Sequence, residues 1–375
     1  MCKLIIPFHS EYFDVEKNQY HIGGVETYIR NLSKVAIETG LEPHVFFPYH
    51  QNDHIEMDGV HLHSICPKRD NNENIKEVVE AASNFGDPLH DLFLFADSTM
   101  ICKTKYKRTI AIQHGVYWDR EDFHGQKIRS RFLSTLLRSL QAQKILRAHS
   151  LVSQIVCVDL NYVNWMRALS MDNRLNYKYV PNFAEVSKLD NQSWDNKIVK
   201  IVFARRFEEI RGCRLIMNVM PSVLDKYQNI EFTLAGGGSL EQELKRCFGN
   251  YQNVIFTKYD ASQSLEFHSQ FNIALVPSIA SEGTSLSLLE AMSSGCAVIA
   301  TDIGGMSNII MDRYNGLIIP PTSEALKEGL TTYLDDMPFA KSIAEEGRKT
   351  VQRSFSKTRW RAQWKKILLE MQTSK

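Results

Sequence analysis

The chain has 375 residues, 43% hydrophobic and 23% charged, with a net charge of +1. That length suits about two domains. The composition excludes a disordered or fibrous protein, and the near-neutral charge excludes a whole-molecule polyanion binder, so electrostatic targeting must rest on local clusters. The seven cysteines are scattered and form no C-x-x-C pair, which argues against a disulfide framework or a structural zinc site and for a reducing compartment. No apolar run reaches the roughly 20 residues that cross a bilayer, and Leu4-Ile5-Ile6 is too short for a secretory signal. A cytoplasmic protein is expected.

Short apolar runs alternate with helix-length segments along the whole chain. They fall at residues 4–8, 43–47, 92–95, 109–112, 151–158, 199–203, 231–235, 253–256, 273–276 and 297–300. Runs apolar on both faces predict parallel strands buried beneath helices, an α/β fold. Gly23-Gly24-Val25-Glu26 precedes a helix over residues 27–36, and its free amides suit either a phosphate or a plain helix cap. Asp97 ends the strand at 92–95. His114, in Gln113-His114-Gly115, follows the strand at 109–112; a lone histidine is more often structural than catalytic.

Residues 124–150 contain Lys127, Arg129, Arg131, Arg138, Lys144 and Arg147 with no acidic residue, interleaved with Phe132, Leu133, Leu136 and Leu140. This pattern fits either an anionic membrane surface or a core-facing helix with a solvated basic face. A boundary is expected within residues 181–196, where Pro181-Asn182 leads into a polar segment. The last helix, about residues 357–372, carries Trp360, Trp364, Ile367, Leu368 and Met371 on one face and must dock.

In the second half, Arg205-Arg206-Phe207-Glu208-Glu209-Ile210-Arg211-Gly212 follows a strand. Its arginines suit a departing diphosphate, or form a solvated loop neutralised by Glu208 and Glu209. Gly236-Gly237-Gly238 lets the backbone approach a flat ligand or makes a tight turn. Glu282-Gly283-Thr284-Ser285 leads from a strand into a helix over residues 286–294, a ready anion site. Glu290 lies among Leu288, Leu289, Ala291 and Met292. Such a carboxylate needs partners, either a buried arginine, a neighbouring loop or the two hydroxyls of a ribose.

Glu282 and Glu290 in E-x7-E spacing, with Gly295, Val298-Ile299-Ala300-Thr301, Gly304-Gly305 and Asn315-Gly316, resemble the retaining glycosyltransferases of family 4, glycosyl transferases group 1. The arginine segment is similar to that family's G-R-L-x-x-x-K-G motif, with Arg206 at the Arg position, Arg211 for Lys and Arg205 for the first Gly. Gly23-Gly24-Val25-Glu26 resembles its G-G-x-E opening. Asn308 stands near a frequent family Glu and receives no role.

The resemblance implies a GT-B fold, two Rossmann-like domains facing a central cleft. Residues 1–185 would form the acceptor-side domain, with helix 357–375 packing back onto it, and residues 186–356 the nucleotide-sugar-binding domain. It implies retaining transfer of a hexose from a nucleotide diphosphate sugar to a saccharide or glycolipid, in cell-surface polysaccharide or lipopolysaccharide synthesis. Glu282, His114, Arg206 and Arg211 would be catalytic. Gly23, Gly24, Gly237, Gly283, Thr284, Ser285 and Glu290 would bind the donor, with Glu290 on its ribose. The cleft candidates contain no D-x-D motif, so no metal or cofactor is expected, and Arg206, Arg211 and helix dipoles would replace a divalent ion. The basic stretch would hold the protein at the inner face of the cytoplasmic membrane. The alternatives are a nucleotide-sugar epimerase or hydrolase, a catalytically silent partner, or a nucleic-acid acceptor, the last disfavoured because no aromatics interleave with the cations.

Overall fold

A computed structural model describes the chain except residues 22, 69–72, 116–121, 124–125, 128–129, 171–175, 187–193, 195–196, 281 and 374–375; the side chains of 73, 122–123, 126–127, 131 and 261 are also outside it. Ser281, Arg129, the side chains of Lys127 and Arg131, and most of the polar boundary segment therefore lie outside the described residues. The chain divides into two compact units. The first comprises Met1–His114, Phe123–Pro181 and Trp360–Lys375, and the second is mainly Asn182–Arg359.

The first unit is built on an eight-stranded sheet. Its order is Tyr177–Tyr179, Gln154–Cys157, Arg108–Gln113, Leu92–Phe95, Cys2–Pro7, Leu41–Pro48, Val60–Ile65 and Asp53–Met57. All neighbours pair in parallel except the last two. The central strands are apolar on both faces and fully buried, as Leu92–Phe95 illustrates. The edge hairpin differs: Val60–Ile65 alternates buried and half-buried residues. It is therefore not a run apolar on both faces. Its signal was the Asp58-Gly59 pair, whose φ angles of 53° and 74° make a two-residue turn of the hairpin type.

The helix Lys357–Thr373 buries Trp360, Trp364, Ile367, Leu368 and Met371. Trp364 Nε1 donates to Tyr28 Oη at 2.7 Å. The Tyr28 ring meets Trp360 edge-on at 5.0 Å and His114 edge-on at 5.1 Å. Tyr28 thus joins the first helix, Gly24–Glu38, to the last one. The helix Arg131–His149 docks by its C-terminal turns, where Ala142, Leu146 and His149 are buried. Its N-terminal turns leave Phe132, Leu133, Leu136 and Leu140 exposed, Phe132 by 80% and Leu140 by 58%. Among the described residues, no helix is long and apolar enough to cross a membrane.

The second unit carries a fully parallel sheet in the order Val254–Thr257, Ile230–Ala235, Val199–Ala204, Ile273–Val276, Ala297–Thr301 and Leu317–Ile319. Chain order reverses direction between Val199–Ala204 and Ile273–Val276. In open parallel sheets that switch point opens a crevice at the carboxyl ends of the strands, where ligands bind.

Replacing Tyr28 by Phe keeps the ring packing but removes the acceptor of a buried indole N–H. The expected cost is about 1–3 kcal/mol, read as a lower urea midpoint with an unchanged m-value.

Candidate active site

The two strands at the switch point run into two loops that are tied together. Val199–Ala204 leads into residues 205–212, and Ile273–Val276 into residues 277–285. Ile279 N donates to Ile210 O at 3.0 Å. Gly212 has φ 84°, and a Cβ there would collide with the Pro277 carbonyl oxygen. A third loop closes on them from the end of Ala297–Thr301: Gly304 has φ 55°, a Cβ on it would strike Glu282 O, and Gly305 N donates to that same oxygen at 3.3 Å. Only glycine combines that φ with so close an approach.

Glu282 sits where the loops meet and is 5% exposed. Its Oε1 accepts hydrogen bonds from Arg205 Nη2 and Arg211 Nη1, and from Ser278 Oγ at 2.6 Å. Arg205 Nη1 also donates to Ser278 Oγ at 2.8 Å. Burial pushes the Glu282 carboxyl up, but the two guanidiniums and Ser278 outweigh it and hold the pKa below the ordinary value. The carboxylate is therefore charged at neutral pH and weakly basic. Two cations against one anion leave the cluster with an excess positive charge, which suits an anionic ligand.

Glu208 and Glu209 do not neutralise this cluster by direct pairing. Glu208 accepts from Ser239 N at 3.2 Å and Ser239 Oγ at 2.8 Å, while Glu209 pairs with Arg214 at 2.7 Å. Arg206 is exposed and, among the described residues, takes part in no ion pair. The structure thus brings Arg211 to Glu282 and leaves Arg206 at the surface of the loop. It also adds Arg205 and Ser278. Arg205 occupies a glycine position of the family motif, so the pattern directs attention past it.

Glu290 lies on the helix Leu286–Ser293 and has a different environment. Ser264 Oγ donates to its Oε2 at 2.7 Å, and no arginine pairs with it among the described residues. Burial pushes its pKa up to about 7, with Ser264 pulling weakly the other way. Gly283, Thr284 and Ser285 are all buried. Ser285 is the N-cap of that helix, but its side chain makes no capping bond. Asn182 Nδ2 donates to Thr284 O at 2.6 Å and steadies the loop.

The glycine run 236–238 has a local explanation. Gly236 and Gly238 have φ 153° and 154°, and side chains there would strike the carbonyl oxygens of Arg205 and Phe207. The close approach is to neighbouring backbone; Gly237, between them, lies beside Glu241 and Lys258. In the first unit, His114 Nε2 lies 3.0 Å from Ala96 O. Burial holds the His114 pKa below its ordinary value against the pull of Asp97, so the ring is neutral at pH 7. Asp97 caps the turn Ser98–Met100 through Thr99 N at 2.8 Å. Gly23 caps the first helix, Gly24 is its first residue, and the Glu26 carboxylate rests against Gly23.

Replacing Arg205 by Leu removes buried donors to Glu282 Oε1 and Ser278 Oγ, with Arg211 still paired to the carboxylate, and is expected to cost about 1–3 kcal/mol. Arg206→Leu, at an exposed position, is expected to shift stability by less than about 0.5 kcal/mol. Urea unfolding of the two variants side by side checks the contrast.

The model of the family "Glycosyl transferases group 1" matches residues 188–350. An uncharacterised glycosyltransferase of Methanocaldococcus jannaschii is 23% identical over 389 residues, covering 93% of this chain and 94% of that protein. The phosphatidyl-myo-inositol mannosyltransferase of Mycobacterium tuberculosis is 25% identical over 223 residues, 56% of this chain and 58% of that one. Among solved structures, sucrose-phosphate synthase from Thermosynechococcus elongatus superposes with a TM-score of 0.76 at 15% identity, over 99% of each chain. The Anabaena protein HepE in complex with UDP and glucose gives 0.72 at 13% identity, over 98% of this chain and 99% of that one. Residues 188–350 match the group 1 glycosyltransferases, the chain has the GT-B fold, and it is a glycosyltransferase, an enzyme that moves a sugar from a nucleotide sugar.

Proposed function

We propose that the protein transfers a hexose from a nucleotide diphosphate sugar to a saccharide or glycolipid, with retention at the anomeric carbon. The observation that carries this reading is the pair of guanidiniums on one buried carboxylate at the switch point of the second sheet. Arg211 and Arg206 would take the diphosphate, together with the amides of Gly283, Thr284 and Ser285 at the helix N-terminus. Glu290, pushed up to about 7 and bonded to a single serine hydroxyl, would accept the ribose hydroxyls. His114 would stand near the transferred sugar, and Gly23, Gly24 and Gly237 would line the donor.

A nucleophilic carboxylate needs basicity, and three donors on Glu282 Oε1 withdraw it. That supports a front-face route. The bond from the anomeric carbon to the leaving phosphate oxygen breaks, the acceptor oxygen bonds to the same face, and its proton passes to the departing phosphate. Glu282 would then orient Arg205 and Arg211. The arginines and the helix dipole would stabilise the diphosphate without a divalent ion.

HepE is described in complex with UDP and glucose, and one relative is named for mannosyl transfer to phosphatidyl-myo-inositol. Both names fit a nucleotide sugar with a lipid or glycan acceptor, as in cell-surface polysaccharide synthesis. The exposed Phe132, Leu133, Leu136 and Leu140, with the exposed Lys144 and Arg147 on the same helix, would dock the protein peripherally on an anionic membrane.

Arg211→Met is expected to lower kcat by about 10²–10³ with little change in KM, and wild-type transfer should persist in EDTA. Sugar or epimer release without an acceptor would instead favour a hydrolase or epimerase. In a flotation assay the protein should rise with phosphatidylglycerol vesicles, and Leu136→Glu with Leu140→Glu should prevent it. Equal recovery from neutral and anionic vesicles would sink the membrane reading.

A further inference from the structure

The edge of the first unit's sheet gathers four histidines. His44 lies on Leu41–Pro48, His61 and His63 on Val60–Ile65, and His54 on Asp53–Met57. Register places His44 opposite His61 and His54 opposite His63. The two-residue strand period then sets Glu42 on the same face as His44. The rings stack in two pairs, His44 on His61 at 4.5 Å and His54 on His63 at 4.6 Å. Glu42 Oε1 is 3.1 Å from His44 Nε2 and 3.1 Å from His61 Nε2. The opposite ring nitrogens are engaged as well: His44 Nδ1 is 3.0 Å from His63 Nε2, and His61 Nδ1 is 3.3 Å from His54 Nε2.

We propose that Glu42, His44 and His61 bind one divalent transition-metal ion, best zinc, with His63 and His54 as the outer partners that orient the two ligand rings. The ligand atoms of the three lie within 4.8 Å of one another. Zinc bonds of about 2.0–2.1 Å in tetrahedral geometry set neighbouring ligand atoms about 3.3 Å apart. The two separations of 3.1 Å from Glu42 Oε1 are close to such an edge. Two imidazoles and a carboxylate leave one position for water.

The tautomers are consistent with this. When the ion takes both Nε2 lone pairs, His44 Nδ1–H donates to His63 Nε2 and His61 Nδ1–H donates to His54 Nε2, the outer hydrogen bond that metal-bound histidines require. Without the ion, the same chain runs the other way, and both Nε2–H groups donate to Glu42. An imidazole coordinates in its own plane, so the near-parallel rings of His44 and His61, 12° apart, must turn away from their stack as the ion enters. None of these residues belongs to the donor-site set. The ion would tie Leu41–Pro48 to Val60–Ile65 and so brace the edge of the sheet, with a structural rather than a catalytic effect.

The test uses the full, untagged chain, treated with EDTA, dialysed, and titrated with Co²⁺ and then Zn²⁺. One ion per chain is expected, with the visible absorption of nitrogen and oxygen ligation and no thiolate charge-transfer band. Zinc should raise the melting temperature, because it binds only the native state. Glu42→Gln and His61→Ala should each abolish the cobalt spectrum. His54→Ala, at an exposed position, should weaken binding about 10–100-fold. Circular dichroism of each variant establishes that it is folded. No bound ion, a thiolate band, or binding unchanged in both Glu42→Gln and His61→Ala overturns the site and leaves a metal-free hydrogen-bonded network. EDTA that lowers the melting temperature while transfer continues at 25 °C keeps this site separate from the donor chemistry.

Discussion

Two guanidiniums converging on one buried carboxylate oxygen set the terms for the second unit. Charges taken out of water must find each other, because an uncompensated buried ion costs several kcal/mol. Glu282, Arg205 and Arg211 come from two loops that are distant in sequence, so the pairing holds only if the loops are held together. Gly212 and Gly304 make that possible by letting backbone pass where any side chain would collide. The sheet order does the rest by making Val199–Ala204 and Ile273–Val276 neighbours.

The same constraint explains why two glutamates eight positions apart behave differently. Glu282 is held down by two arginines and a serine, and Glu290 is pushed up to about 7 by burial with one serine for company. Environment, and not residue type, assigns their chemistry. The first remains an anion that organises cations. The second exchanges a proton near neutrality and retains capacity for hydroxyl partners.

The first unit depends on a different device. Tyr28 offers its hydroxyl to Trp364 and its ring to Trp360 and His114, so the last helix, the first helix and the end of the strand Arg108–Gln113 share one residue. At the far edge of the same sheet the solvated hairpin carries histidines instead of aliphatic residues, and polar side chains are stacked where the core is no longer continuous.

Much of this was legible in the sequence. All ten apolar runs became strands, with ends shifted by three residues at most; for the central ones the reason is that a strand buried on both faces has nowhere to put a polar side chain. The E-x7-E spacing and the glycines around it pointed to the family and to the sugar chemistry, since a strand, a loop and a helix N-terminus are local features. The sequence alone did not reveal the edge hairpin, whose strands face water on one side, or the histidine cluster, which exists only through register between three strands. Nor did it single out Arg205 over Arg206 as the partner of Glu282. Adjacent residues at a strand end point in opposite directions, and only the packing of two distant loops decides which of them meets the buried carboxylate.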